Sequence, residues 1–225
     1  RNAPTVLSGG ILNAGSILAE AYNNDAIALA LMAGADIQNG GRTRGDVFLN
    51  EGNISATVTT NVATKSDVTS STHTATAITL DAATSLPVGA EFINRGQVAA
   101  NNLHIDADGE TSLGTAIAFD FSARTDNISL TQELRRNDEL DPGLDKYLAN
   151  GDLDLDRSGI INDAGEAEPD GVVTTADVVA PSIFGDIIFG SGNDTLTASA
   201  GSINGAIDFG SGANVFTLTG AAPET

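Results

Sequence analysis

The amino-acid sequence predicts an all-β fold, a β-solenoid in which the short strands of successive coils stack on one another. Two observations predict it. Short phrases recur along the chain, and within them apolar and polar residues alternate with the period of two that is typical of strands. The composition, with 41% hydrophobic but only 4% aromatic residues, favours a narrow core of Ile, Leu, Val and Ala.

The first recurring phrase reads apolar-Asn-x-Gly-x-aliphatic-x-Ala. It occurs at Leu12–Ala19, Leu49–Ala56 and Ile93–Ala100. Asn and Gly enter the left-handed region of backbone space most readily, so each copy is expected to contain a turn between two short strands. A second phrase, Ala-Ile-x-(Leu or Phe), follows each copy. Its first copy lies in an Ala- and Leu-rich stretch with helical composition, but the match to the other copies favours a strand.

The spacing of the phrases sets the expected size of one coil. A third phrase, Phe-Gly-Ser-Gly, begins at Phe189 and again at Phe209, 20 residues later. The intervals from Asn13 to Asn50 and from Asn50 to Asn94 are 37 and 44 residues. Each interval is therefore expected to hold two coils. A β-sandwich, which also consists of short strands and turns, is the alternative, although sandwiches do not require recurring phrases.

One segment departs from this pattern. Between Glu133 and Asp177 the sequence contains thirteen acidic and four basic residues. Two stretches here, Leu130–Leu140 and Pro142–Asn150, have helical composition. The sequence therefore predicts β-solenoid coils, an acidic and partly helical insertion, and further coils, at residues 1–130, 131–177 and 178–225.

The insertion contains two consecutive motifs that resemble EF-hand-like or dockerin-like calcium loops. Calcium requires six to eight oxygen ligands, which alternating acidic side chains on a tight loop deliver to one point. The first motif has Asp154, Asp156 and Ser158 at positions one, three and five, and Gly159 at the sharp turn of position six. Position twelve is a glycine, and the acidic residue, Glu166, follows one position late.

The second motif places Glu166, Glu168 and Asp170 at positions one, three and five, and Asp177 at position twelve. The residues expected to bind calcium in the two motifs are Asp152, Asp154, Asp156, Ser158, Asn162, Glu166, Glu168, Asp170 and Asp177. An acidic loop that only keeps the surface soluble is the alternative, because runs of charge are most often solvated faces.

The repeated phrase near the C-terminus also resembles a calcium motif. Gly190–Thr197 fits most of the nonapeptide G-G-x-G-x-D-x-U-x, with Asp194 as the acidic residue. Phe189 stands where the first glycine belongs, and the second copy has Asn214 in place of the aspartate. The phrase is therefore interpreted as a structural turn at a coil corner.

Charge and composition exclude several classes of partner and site. Thirty acidic against ten basic residues give a net charge of −20, which repels nucleic acids and anionic membranes and attracts divalent cations. The absence of cysteine excludes disulfides and thiolate metal sites. The two histidines, His73 and His104, belong to no catalytic motif and are interpreted as surface residues of strands. The protein is therefore expected not to be an enzyme.

The recurring phrases resemble the coil repeats of the passenger domains of Gram-negative autotransporters, the proteins of type V secretion. The resemblance rests on the Asn-x-Gly phrases with their Ala-Ile partners and on the Phe-Gly-Ser-Gly repeat, and it covers Pro4–Leu130 and Val178–Gly220. It implies a right-handed parallel β-helix that is exported and then displayed on the cell surface or released. The family's membrane barrel is expected to lie outside this sequence, and the acidic insertion is not part of the family pattern.

These features predict a non-catalytic stalk or adhesin segment, cell-surface or extracellular, with calcium bound by the insertion. Its expected partner is a glycan or protein on a host or neighbouring cell, and no nucleic acid partner is expected. Two alternatives stay open. One is a carbohydrate-active β-helix enzyme, a polysaccharide lyase or hydrolase, and the other is a structural subunit of a surface array or filament with stacked coil edges.

Overall fold

The computed structural model describes residues 5–39, 46–62, 73–134, 146–147, 153–154, 166–167 and 180–220. Within these ranges the chain forms 22 β-strands and no helix. The predicted all-β fold class is therefore confirmed for the described residues. Most of the strands belong to three parallel sheets.

Within each parallel sheet the strands lie side by side in the order in which they occur along the chain, and strands of the other two sheets separate them in the sequence. Sheet 1 contains β2 (Ile11–Asn13), β6 (Phe48–Asn50), β9 (Glu91–Asn94), β13 (Ser129–Gln132), β19 (Thr195–Ala198) and β22 (Val215–Leu218). Sheet 2 contains β3 (Ser16–Tyr22), β7 (Asn53–Asn61), β10 (Gln97–Ile105), β17 (Ser182–Phe184) and β20 (Ser202–Asn204). Sheet 3 contains β4 (Ala26–Leu31), β8 (Ala75–Leu80), β12 (Ala116–Asp120), β18 (Asp186–Ile188) and β21 (Ile207–Asp208).

The remaining strands form smaller pairings. A parallel pair consists of β1 (Thr5–Leu7) and β5 (Ala35–Ile37). β11 (Thr111–Leu113) pairs antiparallel to β10 at the edge of sheet 2. A separate antiparallel sheet within the acidic segment consists of β14 (Lys146–Tyr147), β15 (Leu153–Asp154) and β16 (Glu166–Ala167).

The chain visits the three parallel sheets in the same order each time. We call one visit to sheets 1, 2 and 3 a pass. Five passes cover residues 11–31, 48–80, 91–120, 129–188 and 195–208, and β22 begins a sixth. Neighbouring strands in each sheet come from successive passes and run parallel. The β-sandwich alternative does not fit this arrangement, because sandwiches are built from antiparallel sheets.

The expected coil length is wrong for the first part of the chain. Asn13 pairs directly with Asn50, and Asn50 with Asn94, so each interval of 37 or 44 residues is one pass rather than two coils. Only the last passes have the 20-residue length, from Leu196 to Phe216. The early passes are longer because their strands and connections are longer, as the nine residues of β7 against three in β20 illustrate.

The expectation of helices is wrong where the structure describes the two stretches concerned. Leu130 lies in β13, paired with Phe92 and Leu196, and Lys146–Tyr147 is a strand. At Leu130, burial between two neighbouring strands outweighs the weak helical preference of the local sequence. The remainder of the two stretches lies outside the described residues. The strand expected at Ala26–Leu31 is confirmed.

The core lies between the three sheets. Alternate residues of β7 and β10 point inward, so Ile54 pairs with Val98 and Ala56 with Ala100. The core also contains a row of phenylalanines in addition to the expected aliphatic residues. The row consists of Phe48, Phe92, Phe121, Phe189 and Phe209, and the ring centroids of successive members are 5.1–5.8 Å apart. Rings packed against one another from pass to pass bury a large apolar area although aromatic residues are few.

Candidate functional site

The acidic segment leaves the sheets at one defined corner. In the first three passes only two residues join sheet 1 to sheet 2, namely Ala14–Gly15, Glu51–Gly52 and Arg95–Gly96. In the fourth pass the same corner, between Gln132 and Ser182, contains the whole acidic segment. Because β13 includes Thr131 and Gln132, sheet 1 extends two residues past the predicted start of the insertion.

A ladder of buried amide side chains runs along this corner. Asn13 Nδ2 donates to Asn50 Oδ1 at 2.8 Å, Asn50 Nδ2 to Asn94 Oδ1 at 2.9 Å, and Asn94 Nδ2 to Gln132 Oε1 at 3.3 Å. The same three asparagines also donate to a backbone carbonyl of the next pass. The ladder therefore satisfies buried amides and holds successive passes in register at the point where the acidic segment begins.

The glycine that follows each asparagine is required by close packing. A Cβ atom on Gly52 would lie 2.0 Å from the carbonyl oxygen of Gly15, and one on Gly96 would lie 2.1 Å from that of Gly52. Neither Gly52 nor Gly96 has a positive φ. The Asn-x-Gly phrase thus joins two short strands as expected, but its glycine permits close contact between stacked backbones and does not form a left-handed turn.

A charged column stands beside the ladder, at the position between the amide and the glycine. Arg95 Nη2 lies 2.8 Å from Glu133 Oε1, and Arg95 Nη1 lies 3.6 Å from Glu51 Oε1. Arg95 Nε also donates to Glu133, at 3.1 Å. The three side chains are almost completely buried, so the arginine neutralises two carboxylates from the passes on either side of it.

Both ends of the acidic segment are fixed to the same pass. The backbone N–H of Glu133 donates to Asn94 O at 3.1 Å, and the backbone N–H of Ser182 donates to Gly96 O at 2.9 Å. The chain therefore departs and returns at positions two residues apart on the third pass. The acidic segment therefore begins and ends at one corner of the stack of passes.

Two of the predicted calcium ligands lie in the described part of the acidic segment. Asp154 in β15 pairs directly opposite Glu166 in β16, and Lys146 in β14 pairs with Asp154 on its other side. This register places Asp154, the first residue of the first motif, next to Glu166, the acidic residue that follows position twelve. The other predicted ligands lie outside the described residues, namely Asp152, Asp156, Ser158, Asn162, Glu168, Asp170 and Asp177.

Within the described ranges no three histidine, aspartate or glutamate side chains lie close enough together to hold a metal ion. In the same ranges no helix is long and apolar enough to cross a membrane.

The repeated C-terminal phrase forms turns between sheets 3 and 1, which supports its interpretation as a structural corner. Asp194 Oδ1 accepts the backbone N–H of Ile128 at 2.8 Å, and Asn214 Oδ1 accepts the backbone N–H of Asp194 at 2.8 Å. Asp194 Oδ2 is buried and has no hydrogen-bond partner in the part of the chain that is described. Burial raises the pKa of Asp194, the hydrogen bond from Ile128 opposes this, and the charge of Asp126 adds to it.

The interpretation of His104 as a surface residue is wrong. His104 is 1% exposed, and neither ring nitrogen has a hydrogen-bond partner among the described residues. Burial lowers the pKa of His104, and the nearby His73 lowers it further. The signal was present in the strand pattern, because His104 is an even number of residues from the inward Val98 and shares its face. Both histidines lie toward the corner between sheets 2 and 3, His104 near the end of β10 and His73 two residues before β8.

Comparison with protein-family models, with curated proteins and with solved structures found no significant match.

Proposed function

We propose that the chain is a non-catalytic segment of a cell-surface or secreted protein, a right-handed parallel β-solenoid whose acidic segment binds calcium. The observation that carries the proposal is the position of this segment. It leaves and returns at one corner of the stack, with its ends bonded to Asn94 and Gly96, and it contains Asp154 and Glu166 as paired strand residues.

The solenoid is supported by the order of the passes. Each pass adds one strand to each of three parallel sheets, and equivalent residues stack on one another at the corners. Backbone hydrogen bonds therefore run from pass to pass, and inward side chains form columns. This is the arrangement expected of a repeat protein in which each unit contacts mainly its neighbours.

Calcium binding is supported by donor chemistry and by the register of β15 and β16. The two motifs supply mostly carboxylates, which are the hard oxygen ligands that calcium prefers. In the first motif Glu166 is one position later than the usual position twelve. Its pairing opposite Asp154 nevertheless places an acidic residue beside the first residue of the motif. Bound calcium would supply positive charge among carboxylates that otherwise repel one another, and it would link folding of the segment to the metal.

The non-catalytic interpretation is supported by the engagement of two arginines. A polysaccharide lyase needs a basic side chain free to accept a proton. Arg95 is enclosed by Glu51 and Glu133. Arg124 pairs with Asp126, and its Nη1 donates to three carbonyl oxygens, of Asp81, Ala82 and Thr84. Both arginines therefore act in the architecture, which weakens the carbohydrate-active alternative.

The surface location is an extension of the resemblance to autotransporter passenger domains. On that proposal the stack is a stalk or adhesin segment, and its partner is a glycan or protein on a host or neighbouring cell. Calcium is abundant outside cells, so the acidic segment would be loaded after export. The high negative charge of the chain is compatible with this role and disfavours nucleic acid as a partner.

A filament subunit is the second candidate, and the last described strand favours it. In β22 the side chains of Val215, Phe216 and Leu218 are exposed. β20, β21 and β22 are the final strands of their sheets within the described residues, so each has one edge without a described partner. Such edges can pair with another chain. Sedimentation velocity across a range of concentrations separates a filament subunit, which self-associates, from a monomeric stalk.

The test of the calcium proposal is a calorimetric titration combined with thermal unfolding in EDTA and in millimolar calcium. At a calcium concentration 100 times the Kd, linkage adds about 2.7 kcal/mol to the stability. In a protein of this size that corresponds to a rise in Tm of about 5–10 °C if unfolding is cooperative. A strand-rich circular dichroism spectrum should accompany it.

Paired variants locate the site. Asp154→Asn/Glu166→Gln should weaken calcium binding at least about tenfold, since affinity follows the number of charged ligands. Asp108→Asn/Glu20→Gln is the matched control, because it removes the same two charges from exposed positions outside the acidic segment. Equal loss in both variants would reduce the effect to overall charge, and an unchanged Tm in calcium would contradict the proposal.

A further inference from the structure

The only two histidines of the chain lie near the corner between sheets 2 and 3, where the side chain of Asn102 links the backbone of His73 to β10. His104 lies in β10 on the third pass, and His73 lies two residues before β8 on the second. They are 31 residues apart in the sequence. This corner is separate from the one that carries the acidic segment, and the repeats account for neither histidine.

Side chains from two other passes hold His73 in place. Asn102 Nδ2 donates to His73 O at 2.7 Å and to Thr115 O at 2.9 Å, which ties the backbone of His73 to the strand that carries His104. Asp25 Oδ1 accepts the backbone N–H of Thr74 at 2.8 Å and lies 3.8 Å from His73 Nδ1. The carboxylate is thus positioned from the first pass to orient the ring of His73.

A cluster of buried polar atoms without partners surrounds His104. Thr60 pairs directly with His104 in the neighbouring strand, and Asn102 is on the same inward face of β10. Thr60 Oγ1, Asn102 Oδ1 and both ring nitrogens of His104 are buried, and none has a hydrogen-bond partner in the described parts of the chain. Buried polar atoms are nearly always satisfied in native proteins, so four such atoms together indicate a bound species.

The backbone leaves little room on one side of the cluster. A Cβ atom on Gly114 would lie 2.4 Å from His104 Nε2 and 2.8 Å from Asn102 Nδ2. Both side chains therefore lie against the same residue, and Gly114 is the residue type that permits this approach.

We propose that this cluster, Thr60, His73, Asn102 and His104, binds a divalent first-row transition metal ion such as Zn²⁺. The two imidazoles are the nitrogen ligands, and Asp25 orients His73 as an outer carboxylate. Because no third histidine or carboxylate completes the set within the described residues, the other ligands are Asn102 Oδ1, Thr60 Oγ1 and water. Imidazole nitrogen favours zinc, nickel and copper over calcium, so this site and the acidic segment select different ions.

The test follows the ring nitrogens directly. Long-range ¹H–¹⁵N NMR spectra of the full chain contain signals from only two imidazoles. Zn²⁺ is added in calcium-saturated buffer, so that the carboxylates of the acidic segment are already occupied. We expect one ring nitrogen of each histidine to shift together and to reach its end point at one equivalent of zinc. If neither ring shifts, or only His73 does, the proposal is overturned and the buried atoms bind water instead.

Variants separate this site from the calcium site. His73→Gln should weaken zinc binding at least about tenfold, and Asp25→Asn should weaken it about tenfold, the usual effect of an outer-sphere partner. Both positions are partly exposed, so these variants should fold even if His104→Gln does not. Asp108→Asn is the control and should bind zinc as the parent does. Asp154→Asn/Glu166→Gln should leave the histidine shifts unchanged, and loss of the shifts in that variant would place the zinc in the acidic segment and contradict the proposal.

Discussion

The first three passes and the last passes of the chain stack in different ways. From the first pass to the third, the repeat is 37 and 44 residues long, and buried amides bond to one another along the corner between sheets 1 and 2. In the last passes the repeat is 20 residues, and side chains such as Asn193 and Asn214 bond to the backbone of the adjacent pass. The number of residues in a pass therefore changes through the lengths of its strands and connections. The corners, in contrast, stack on the equivalent corners of the adjacent passes in both regions.

The two regions share one feature, the close approach of stacked backbones at glycine. Gly52 and Gly96 meet the preceding pass in the first region, and Gly210 and Gly212 meet Gly190 and Gly192 in the second. In the second region Gly210 and Gly212 also have positive φ, whereas Gly52 and Gly96 do not. The stack thus requires glycine at corners for two separable reasons, namely space alone in the early passes, and space together with backbone conformation in the late ones.

The largest effect is expected from Gly96→Ala in the middle of the early passes. The new Cβ would lie 2.1 Å from the carbonyl oxygen of Gly52, and the second pass would have to move. Steric strain of this kind costs about 3 kcal/mol. Urea unfolding followed by circular dichroism measures the change.

Gly15→Ala is the matched control for this substitution. Gly15 has the same place in its phrase, but it belongs to the first pass, and a Cβ there meets nothing within 4 Å. We expect a change of less than about 1 kcal/mol, either neutral or stabilising, because Ala restricts the unfolded chain. Equal destabilisation by both variants would contradict the stacking argument.

A smaller effect, of opposite sign, is expected from Asp194→Asn in the late passes. Asn214 occupies the equivalent position of the next pass, where its Nδ2 donates to Phe209 O at 3.0 Å. The amide keeps the acceptor for Ile128, and its nitrogen would face Phe189 O in the same way. Replacing a buried carboxylate that has one unpartnered oxygen should raise stability at neutral pH by about 1 kcal/mol.

The pH dependence of this variant follows from the raised pKa of Asp194. The folded state accepts the proton more readily than the unfolded state, whose pKa is near the ordinary value of 3.8. The parent protein therefore gains stability from Asp194 as the pH falls through the folded pKa, and the advantage of Asp194→Asn should shrink over that range. Thermal unfolding from neutral to acidic pH checks this, and a constant difference between the two proteins would show that ionisation of Asp194 is not its cause.

The strand class and the phrase corners could be predicted because each copy repeats the same local chemistry. The length of a pass could not, since the shortest repeat, between Phe189 and Phe209, does not hold for passes with longer strands. Leu130 and Gln132 were expected in a helix because the composition of a segment carries no information about the strands that will lie beside it. Their burial depends on Phe92 and Asn94, which are 38 residues earlier in the chain.

The candidate sites were predictable to different degrees. Asp154 and Glu166 belong to a contiguous motif, so their spacing alone pointed to calcium. His73 and His104 belong to different passes, and no local spacing in the sequence relates one to the other. His104 and Val98 are separated by an even number of residues along β10, which indicates that His104 is buried too. That Thr60 lies beside it can be known only from the strand register.

The most direct test of the central claim, that the acidic segment is a calcium-binding module carried at one corner of a β-stack, is its excision. Replacing residues 134–181 with a single glycine would leave Glu133-Gly between Gln132 and Ser182, which reproduces the Glu51–Gly52 corner of the second pass. We predict a strand-rich circular dichroism spectrum, cooperative unfolding, and no change of Tm between EDTA and millimolar calcium. An unfolded protein, or one whose Tm still rises with calcium, would contradict the account.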